Sequence, residues 1–156
     1  MASKSLKIAT LSDTHGLLRK EVLDAIQGVD YILHAGDICS MDILRKLEAI
    51  APTYIVAGNC DYGKEFSKLP RREVFTIEEI NFYMLHDLTQ LDIDLQAANI
   101  DVVIHGHTHL PSNEKLGECI IFNPGSAGPR RYDYPISMGF IEIENGELKF
   151  SHYELV

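Results

Sequence analysis

Short apolar runs in this chain end five times in residues that bind metals well. The residues are two Asp, one Asn and four His, in the segments 13–15, 36–37, 58–59, 85–86 and 106–109. A side chain at a strand end is held on one side and free on the other, so such residues can converge from distant parts of a sequence. Mixed oxygen and imidazole donors suit Mn, Fe, Ni or Zn better than a thiolate site or an all-oxygen calcium cage. We therefore predict a metal site.

The segment 105–109, His-Gly-His-Thr-His, carries the most concentrated signal. In an extended backbone the H-x-H spacing of His107 and His109 would present both imidazoles on one face. A surface histidine cluster is the alternative interpretation. We assign His105 to packing or to support of the ligands, because Gly106 lets the backbone change direction after it.

The other segments are weaker when each is taken alone. Asp13 or Thr14 could instead cap a helix that begins near Leu17, and Gly36-Asp37 is also an ordinary turn pair. The segment 58–65 matches the phosphate-loop spacing, but Glu65 stands where Ser or Thr must reach Mg²⁺, and no helix pattern follows. We therefore do not predict nucleotide binding there. We expect His34 to be a hydrogen-bonded core residue and His152 to lie on the surface.

Composition limits the class of protein. The 156 residues are 46% hydrophobic and carry a formal net charge of -9, which predicts a single domain over 1–156 with a small substrate and argues against stable nucleic-acid or membrane binding. Cys39, Cys60 and Cys119 form no C-x-x-C pair and are interpreted as reduced thiols. The N-terminal apolar run is too short for a signal peptide, and no run is long enough to span a bilayer. We expect a cytoplasmic protein; a homo-oligomer remains open.

Hydrophobic periodicity places the elements that must position these residues. Strands are predicted at 6–11, 31–33 and 53–56, alternating with helices over 18–29 and from Ser40 to about residue 50, which indicates a parallel sheet with crossover helices. A hairpin around Asn81 is predicted to join 74–77 to 82–85. We assign 91–98 to a helix and 102–104 to a strand. Strands at 120–122, 138–143 and 148–153 follow, the last two joined at Asn145-Gly146.

Taken in order, the five segments resemble the signature of the calcineurin-like metallophosphoesterases: D-x-H, G-D, G-N-x-[D/E/H], a lone His after a strand, and G-H-x-H. The similarity runs from residue 8 to about 131 and includes Asn-Pro-Gly-Ser at 123–126, which resembles the small single-domain prokaryotic branch. The resemblance implies an α/β fold, a two-layer mixed β-sheet sandwich flanked by helices. It also implies hydrolysis of small phosphodiesters.

The same resemblance implies a ligand set for two divalent metal ions, with Mn most expected and Ni, Fe, Zn or Mg as alternatives. The ligands would be Asp13, His15 and His109 for one ion, Asn59, His86 and His107 for the other, and Asp37 for both. Asp37, Asn59 and His107 would be the catalytic residues. A hydroxide bridging the two ions would attack phosphorus in line, while the ions neutralise charge on the phosphoryl oxygens.

The chain departs from the family pattern beside the ligands. Cys60 stands where larger members carry a His that protonates the leaving group, and a thiol is a poor substitute. That role could fall to Asp61, to another group or to water. Asp87 stands where the small branch usually has Gly, and it could orient His86 or add negative charge. Arg130 and Arg131 could clamp a phosphate oxygen or form a solvated surface pair.

Two other functions are weighed against the phosphodiesterase. The small retromer subunit has a similar fold but lacks part of the ligand set and serves as a protein-binding scaffold. Here all seven ligand positions are filled, which favours an enzyme. A nuclease subunit is disfavoured by the net charge of -9.

Overall fold

Two five-stranded mixed β-sheets lie face to face in the computed structural model, which describes residues 5–156. The first sheet has the order β10-β9-β1-β2-β3 and the second β4-β5-β6-β8-β7. The strands are β1 Ser5–Leu11, β2 Tyr31–His34, β3 Thr53–Ile55, β4 Arg72–Ile77, β5 Ile80–Leu85, β6 Val102–Ile104, β7 Ser112–Leu116, β8 Cys119–Asn123, β9 Ser137–Glu144 and β10 Glu147–Glu154. The predicted two-layer mixed sandwich is confirmed.

The first sheet is built from the predicted β-α alternation. β1, β2 and β3 are parallel, and the helices α1 (Lys20–Ala25) and α2 (Met41–Glu48) connect them. β9 and β10 add an antiparallel hairpin to the other side of β1. As predicted, its turn is Asn145-Gly146, with φ values of 52° and 82° that suit a type I′ turn.

The second sheet has parallel strands at its centre and antiparallel strands at its edges. β5, β6 and β8 run parallel, whereas β4 and β7 pair antiparallel to β5 and β8. The turn between β4 and β5 lies at Glu78-Glu79, with φ values of 49° and 70°. The sequence-based position of this turn, around Asn81, is therefore wrong by about two residues, since Asn81 pairs with Thr76 inside the hairpin.

Three apolar layers hold the fold together. The inner faces of both sheets meet in one layer, which includes Ile8, Phe82 and Phe122. The outer face of the first sheet packs against α1 and α2. The outer face of the second sheet is covered by the segment 88–100, which contributes Leu95 and Ile100. Burying these side chains completely contributes about 1.5–3 kcal/mol each.

The predicted helix over 91–98 is wrong. A short 3₁₀ turn, Leu88–Gln90, is followed by bends and a single turn. The Asp94 carboxylate accepts the N–H groups of Gln96 and Ala97 at 3.1 Å each, and Asn99 has a φ of 57°, so the backbone leaves the helical path after one turn. This irregular path directs Leu95 and Ile100 onto the sheet.

Two smaller differences from the predicted elements concern the start and length of α1 and the edge strand β7. α1 is shorter than the predicted 18–29, and Arg19 is its N-cap, so neither Asp13 nor Thr14 caps this helix. β7 was not predicted. Its side chains are mostly exposed at the sheet edge, and it therefore lacks an apolar pattern.

Within residues 5–156, no helix is long and apolar enough to cross a membrane.

Candidate metal centre

Five strand ends meet at one edge of the sandwich and carry the residues predicted as ligands. Loop-to-loop hydrogen bonds join them: the Asp13 N–H donates to the Gly36 carbonyl at 2.9 Å, and the Gly106 N–H donates to the His86 carbonyl at 3.0 Å. His86 also links the two sheets, because its Nδ1 lies 2.8 Å from the Ala35 carbonyl. The convergence predicted from the strand ends is therefore present in the fold.

The backbone at this edge is left-handed and not extended. Six residues have φ between 47° and 72°. They are Asp13, His15, Asp37, Cys39, His107 and His109. The expectation that an extended backbone would align the His107 and His109 side chains of H-x-H is therefore wrong. Such conformations cost of order 1–3 kcal/mol each and persist where surrounding contacts enforce them. Here the cross-loop hydrogen bonds supply those contacts.

The carboxylate of Asp13 lies at the centre of three imidazoles. Its Oδ1 is 3.6 Å from His15 Nε2, 3.7 Å from His86 Nε2 and 3.4 Å from His109 Nε2. Its Oδ2 accepts the Ser12 hydroxyl at 2.7 Å and the His107 N–H at 3.1 Å. One oxygen is thus used to fix the carboxylate, and the other is left facing the histidines.

Asp37 lies beside this group and contacts two of the same histidines. Its Oδ2 is 3.1 Å from His86 Nε2 and 3.6 Å from His15 Nε2. Its Oδ1 accepts the Cys60 N–H at 2.8 Å. Asp37, like Asp13, therefore lies between His15 and His86.

Asn59 and His107 occupy the exposed rim of the cluster. Asn59 Oδ1 is 3.2 Å from His107 Nδ1, and the His107 ring lies edge-on to the His86 ring at 5.2 Å between centroids. Unlike the other five predicted ligands, these two side chains are open to solvent. All seven predicted ligands are therefore in one region, five of them in the interior part.

The donor set fits divalent cations. Asp13 Oδ1, His15 Nε2 and His86 Nε2 are buried and have no hydrogen-bond partner among the described residues. Buried polar atoms are normally paired, so an unpaired carboxylate oxygen that faces unpaired histidine nitrogens favours a ligand between them. Donors about 2.0–2.2 Å from one ion lie about 3–4 Å apart, as Asp13 Oδ1 does from each of the two nitrogens. The clusters Asp13, His15, His109 and Asp13, Asp37, His86 could each hold an ion.

Electrostatics keeps the two carboxylates ionised. Burial raises the pKa of Asp37, but the His86 imidazole, with Nε2 3.1 Å from Oδ2, outweighs burial and lowers this pKa to about 2. Burial likewise opposes ionisation of Asp13, whereas the neighbouring imidazoles of His15 and His86 leave its pKa below the ordinary value. Ionised carboxylates are the form that binds cations.

Glycines allow the loops to approach the ligands. At Gly36, where φ is 109°, a Cβ would lie 2.7 Å from His86 Nδ1. At Gly58 a Cβ would overlap with Asp37 Oδ1, and at Gly106 with the Ser12 hydroxyl. The glycines of the G-D, G-N and G-H pairs are therefore required by space at the site.

Comparison with known proteins identifies the family. The sequence model described as the calcineurin-like phosphoesterase superfamily domain matches residues 6–146. A probable metallophosphoesterase of Methanothermobacter thermautotrophicus is 38% identical over 148 residues, which cover 84% of this chain and 83% of that protein. This chain belongs to the calcineurin-like phosphoesterase superfamily. The family resemblance predicted from the sequence is confirmed, and the family implies divalent metal ions and a hydrolase.

Two further comparisons add detail about the superfamily. The phosphodiesterase YfcE of Escherichia coli is 29% identical over 162 residues, covering 88% of each chain. The structure of Vacuolar Protein Sorting 29 from Cryptosporidium parvum superposes with a TM-score of 0.78 at 19% identity, covering 96% of this chain and 97% of that one. The structural similarity shows a shared fold.

Asp61, within the G-N-C-D segment of the superfamily signature, has a structural role that the sequence did not reveal. Its Oδ2 accepts the N–H groups of Asp37 at 2.8 Å, Gly58 at 2.9 Å and Ile38 at 3.2 Å. Its Oδ1 accepts the Cys39 N–H at 2.9 Å. With four backbone donors around it, this buried carboxylate clamps two ligand loops together. Proton donation to a leaving group, one of the roles considered above, is therefore wrong for Asp61.

The other histidines are accounted for by packing. His34 is fully buried, its Nδ1 accepting the Gly36 N–H at 3.1 Å and its Nε2 lying 3.0 Å from the Thr14 hydroxyl, as expected for a core histidine. Burial lowers the pKa of both His34 and His105 to about 4, which keeps them neutral. His105 is buried outside the ligand clusters. His152 is exposed, as predicted, and stacks on Phe122.

The cysteines near the centre are free thiols. Cys39 Sγ lies 3.7 Å from His15 Nδ1, a contact that sequence reasoning missed. Burial and the charges of Asp61 and Asp37 raise the pKa of Cys39 to about 12. Burial and Asp37 also raise the pKa of Cys60, so both thiols stay protonated near neutral pH. Proton transfer from such weak acids is unfavourable.

The sequence left two roles open for Asp87 and two for the arginine pair. The Asp87 carboxylate accepts the Thr89 N–H at 3.0 Å and hydroxyl at 2.8 Å, and its Oδ2 lies 4.0 Å from His107 Nε2. Arg130 donates to the Tyr134 carbonyl at 2.9 Å. Both Arg130 and Arg131 are exposed, and the charge of Arg131 acts on His109, so these positions agree with a phosphate clamp as well as with a surface pair.

Proposed function

We propose that this chain is a metal-dependent phosphodiesterase with a dinuclear metal centre. The observation that supports it most directly is the buried Asp13 Oδ1, which has no hydrogen-bond partner among the described residues and faces the unpaired Nε2 atoms of His15 and His86. In this proposal Asp13, His15 and His109 hold one ion, Asn59, His86 and His107 hold the second, and Asp37 is shared. Mn²⁺ suits this mixed oxygen and imidazole set.

When bound, two such ions activate water and neutralise charge on the phosphoryl group. The residues of the chain supply position and electrostatics. The Ala35 carbonyl fixes the His86 ring with Nε2 facing the carboxylates, and the Cys60 N–H and the His86 ring hold Asp37 between the two halves of the cluster. Asn59 is a neutral donor, so the site does not become too anionic to accept phosphate. His107 is exposed at the rim, where it can reach a substrate oxygen.

A small phosphodiester is the substrate class proposed. The rim ligands Asn59 and His107 are open to solvent, which leaves room for substituents on both sides of a phosphoryl group. Cys60 stands where larger members place a proton donor, and its raised pKa makes the thiol a poor one. The enzyme should therefore favour esters with good leaving groups. We propose that the enzyme acts in the cytoplasm.

The proposal is tested with purified, metal-analysed protein assayed on bis(p-nitrophenyl) phosphate and p-nitrophenyl phosphate, with added Mn²⁺, Ni²⁺ or Mg²⁺. Turnover of the diester that depends on metal is expected. Asp37→Ala and His107→Ala should each lower kcat/KM by about a hundredfold or more, since each removes a group at the reaction centre. Asp24→Ala, on the exposed face of α1, is the matched control.

A non-catalytic scaffold with this fold is the alternative, raised by the fold similarity to Vacuolar Protein Sorting 29. It predicts no turnover of either ester under any metal. Metal-independent turnover, or full activity in Asp37→Ala, would contradict the dinuclear centre.

A further inference from the structure

A cavity of about 130 Å³ adjoins the candidate metal centre on the side of Asn59 and His86. Its wall also includes Arg71, Arg72 and Asp87. A water molecule takes up about 30 Å³ in the liquid, so the cavity has room for a group of about four to five heavy atoms. That is the size of a phosphate group, and the cavity lies directly beside two proposed metal ligands.

Both arginines are held in place by the loops that carry those ligands. Arg71 Nη1 donates to the carbonyl of Gly58, the residue before Asn59, at 3.2 Å. Arg72 lies opposite Leu85, the residue before His86, in the β4–β5 register. Its Nη2 donates to the Gln90 carbonyl at 2.9 Å.

The charge of this cavity differs in sign from that of the whole chain. Its wall has two guanidinium groups and one carboxylate, whereas the chain has 23 acidic against 14 basic residues. The carboxylate, Asp87, is already hydrogen-bonded by Thr89 at two atoms. Arg72 contacts Asp92 through Nε at 3.4 Å and also interacts with the Tyr83 hydroxyl, whereas Nη2 of Arg71 has no hydrogen-bond partner among the described residues. Arginine pairs of this kind suit phosphate oxygens.

We propose that Arg71 and Arg72 form an anion subsite that binds a second phosphate group of the substrate, beside the phosphodiester at the metal centre. The inference rests on the proposed phosphodiesterase function and makes it more specific. The preferred substrates are then phosphodiesters in which one substituent carries a phosphate monoester. This assignment differs from the clamp considered for Arg130 and Arg131, which lie on a different loop.

The test uses two chromogenic substrates that release the same leaving group. They are thymidine 5′-(p-nitrophenyl phosphate) and its 3′-phosphorylated derivative, assayed with the Mn²⁺-loaded protein. The wild type should hydrolyse the 3′-phosphorylated substrate with a kcat/KM about tenfold higher or more, because a charge-assisted contact is added. Arg71→Gln should reduce this ratio to near one. Arg45→Gln, an exposed arginine on α2, should leave the ratio unchanged.

A binding measurement checks the same subsite without turnover. Isothermal titration calorimetry should give tighter binding of thymidine 3′,5′-bisphosphate than of thymidine 5′-monophosphate, and Arg71→Gln should remove the difference. If wild type hydrolyses both substrates equally, or if Arg71→Gln slows both by the same factor, the subsite is wrong while the phosphodiesterase proposal stands. If wild type hydrolyses neither, the phosphodiesterase proposal fails and the subsite fails with it.

Discussion

Asp61 holds the backbone of Asp37 in place: its Oδ2 accepts the Asp37 N–H at 2.8 Å, across 24 residues of sequence. The same oxygen accepts the Gly58 N–H at 2.9 Å, so one carboxylate joins the loop after β2 to the loop after β3. These two loops carry the proposed shared ligand Asp37 and the rim ligand Asn59. The relative position of the two ligands therefore depends on a residue that binds no metal itself.

Asp61→Asn should destabilise the protein and weaken metal binding. The amide would turn an N–H₂ group toward backbone donors, leaving buried N–H groups unpaired, so we expect a loss of about 2–4 kcal/mol in the free energy of unfolding. Urea denaturation of the metal-free protein measures this loss. Asp30→Asn is the control, because the exposed Asp30 accepts one backbone N–H, that of Lys7, within residues 5–156, and its loss should stay below about 1 kcal/mol. Equal losses would remove the special role given to Asp61.

Gly58→Ala should reduce metal affinity by about tenfold or more, as changes next to metal ligands do. Its Cβ would overlap with Asp37 Oδ1, so the carboxylate would have to move. Isothermal titration calorimetry with Mn²⁺ measures the affinity. Gly146→Ala is the control, because a Cβ added there would meet no atom within 4 Å. Its φ of 82° means that backbone strain should lower stability by about 1 kcal/mol without changing metal affinity. Unchanged affinity in Gly58→Ala would contradict the crowding argument.

Divalent metal should stabilise the fold through Asp13. Saturation at about a hundred times Kd adds about 2.7 kcal/mol, which raises Tm by about 5–10 °C for a domain of this size. In Asp13→Asn the central oxygen loses its charge, so the Mn²⁺-dependent rise in Tm should largely disappear. Asp24→Asn should keep it. Differential scanning calorimetry with Mn²⁺ and with a chelator gives both values. A full Tm rise in Asp13→Asn would place the ion elsewhere.

The strand ends made the site predictable from sequence, because the fold brings the ends of parallel strands together wherever the intervening loops run. Asp61 was not predictable as a clamp, because its partners lie in another loop, and a single aspartate in a turn has no sequence signal for distant backbone donors. Arg71 is similar: its contact with the Gly58 carbonyl and its place in the cavity wall bring it beside the candidate metal centre.

Errors in the predicted elements have comparable causes. Segment 91–98 contains good helix formers, but the contacts of Leu95 and Ile100 with the second sheet and the side-chain hydrogen bonds of Asp94 override this local propensity. β7 has no apolar alternation because it lies at a solvent-exposed edge, and it is a strand only through its pairing with β8. Local patterns thus predicted the elements with a regular apolar face and missed an irregular segment and an exposed edge strand.

Cys60→His should raise turnover of esters with poor leaving groups by about tenfold or more, because an imidazole is a better proton donor near neutral pH than a thiol with a raised pKa. The side chain starts beside the shared ligand, since the Cys60 N–H donates to Asp37 Oδ1 at 2.8 Å. A series of aryl phosphodiesters of increasing leaving-group pKa measures the effect as a shallower dependence of kcat/KM. Cys60→Ala should show no such change. The same steep dependence in Cys60→His would show that proton donation does not limit the rate.

Stability should fall as the pH is lowered from about 7 to about 4.5, and His34 should contribute much of the change. Burial lowers the pKa of His34 from 6.5 to about 4, so in this range the unfolded chain binds a proton that the folded protein excludes. The full pKa shift corresponds to about 3 kcal/mol of unfolding free energy. This stabilisation is lost as the pH falls from the pKa of His34 in the unfolded chain toward its pKa in the folded protein. His34→Gln removes this proton, so its unfolding free energy, measured by urea denaturation with chelator present, should depend less steeply on pH. An unchanged slope in His34→Gln would mean that the buried imidazole is not the group excluded from protonation.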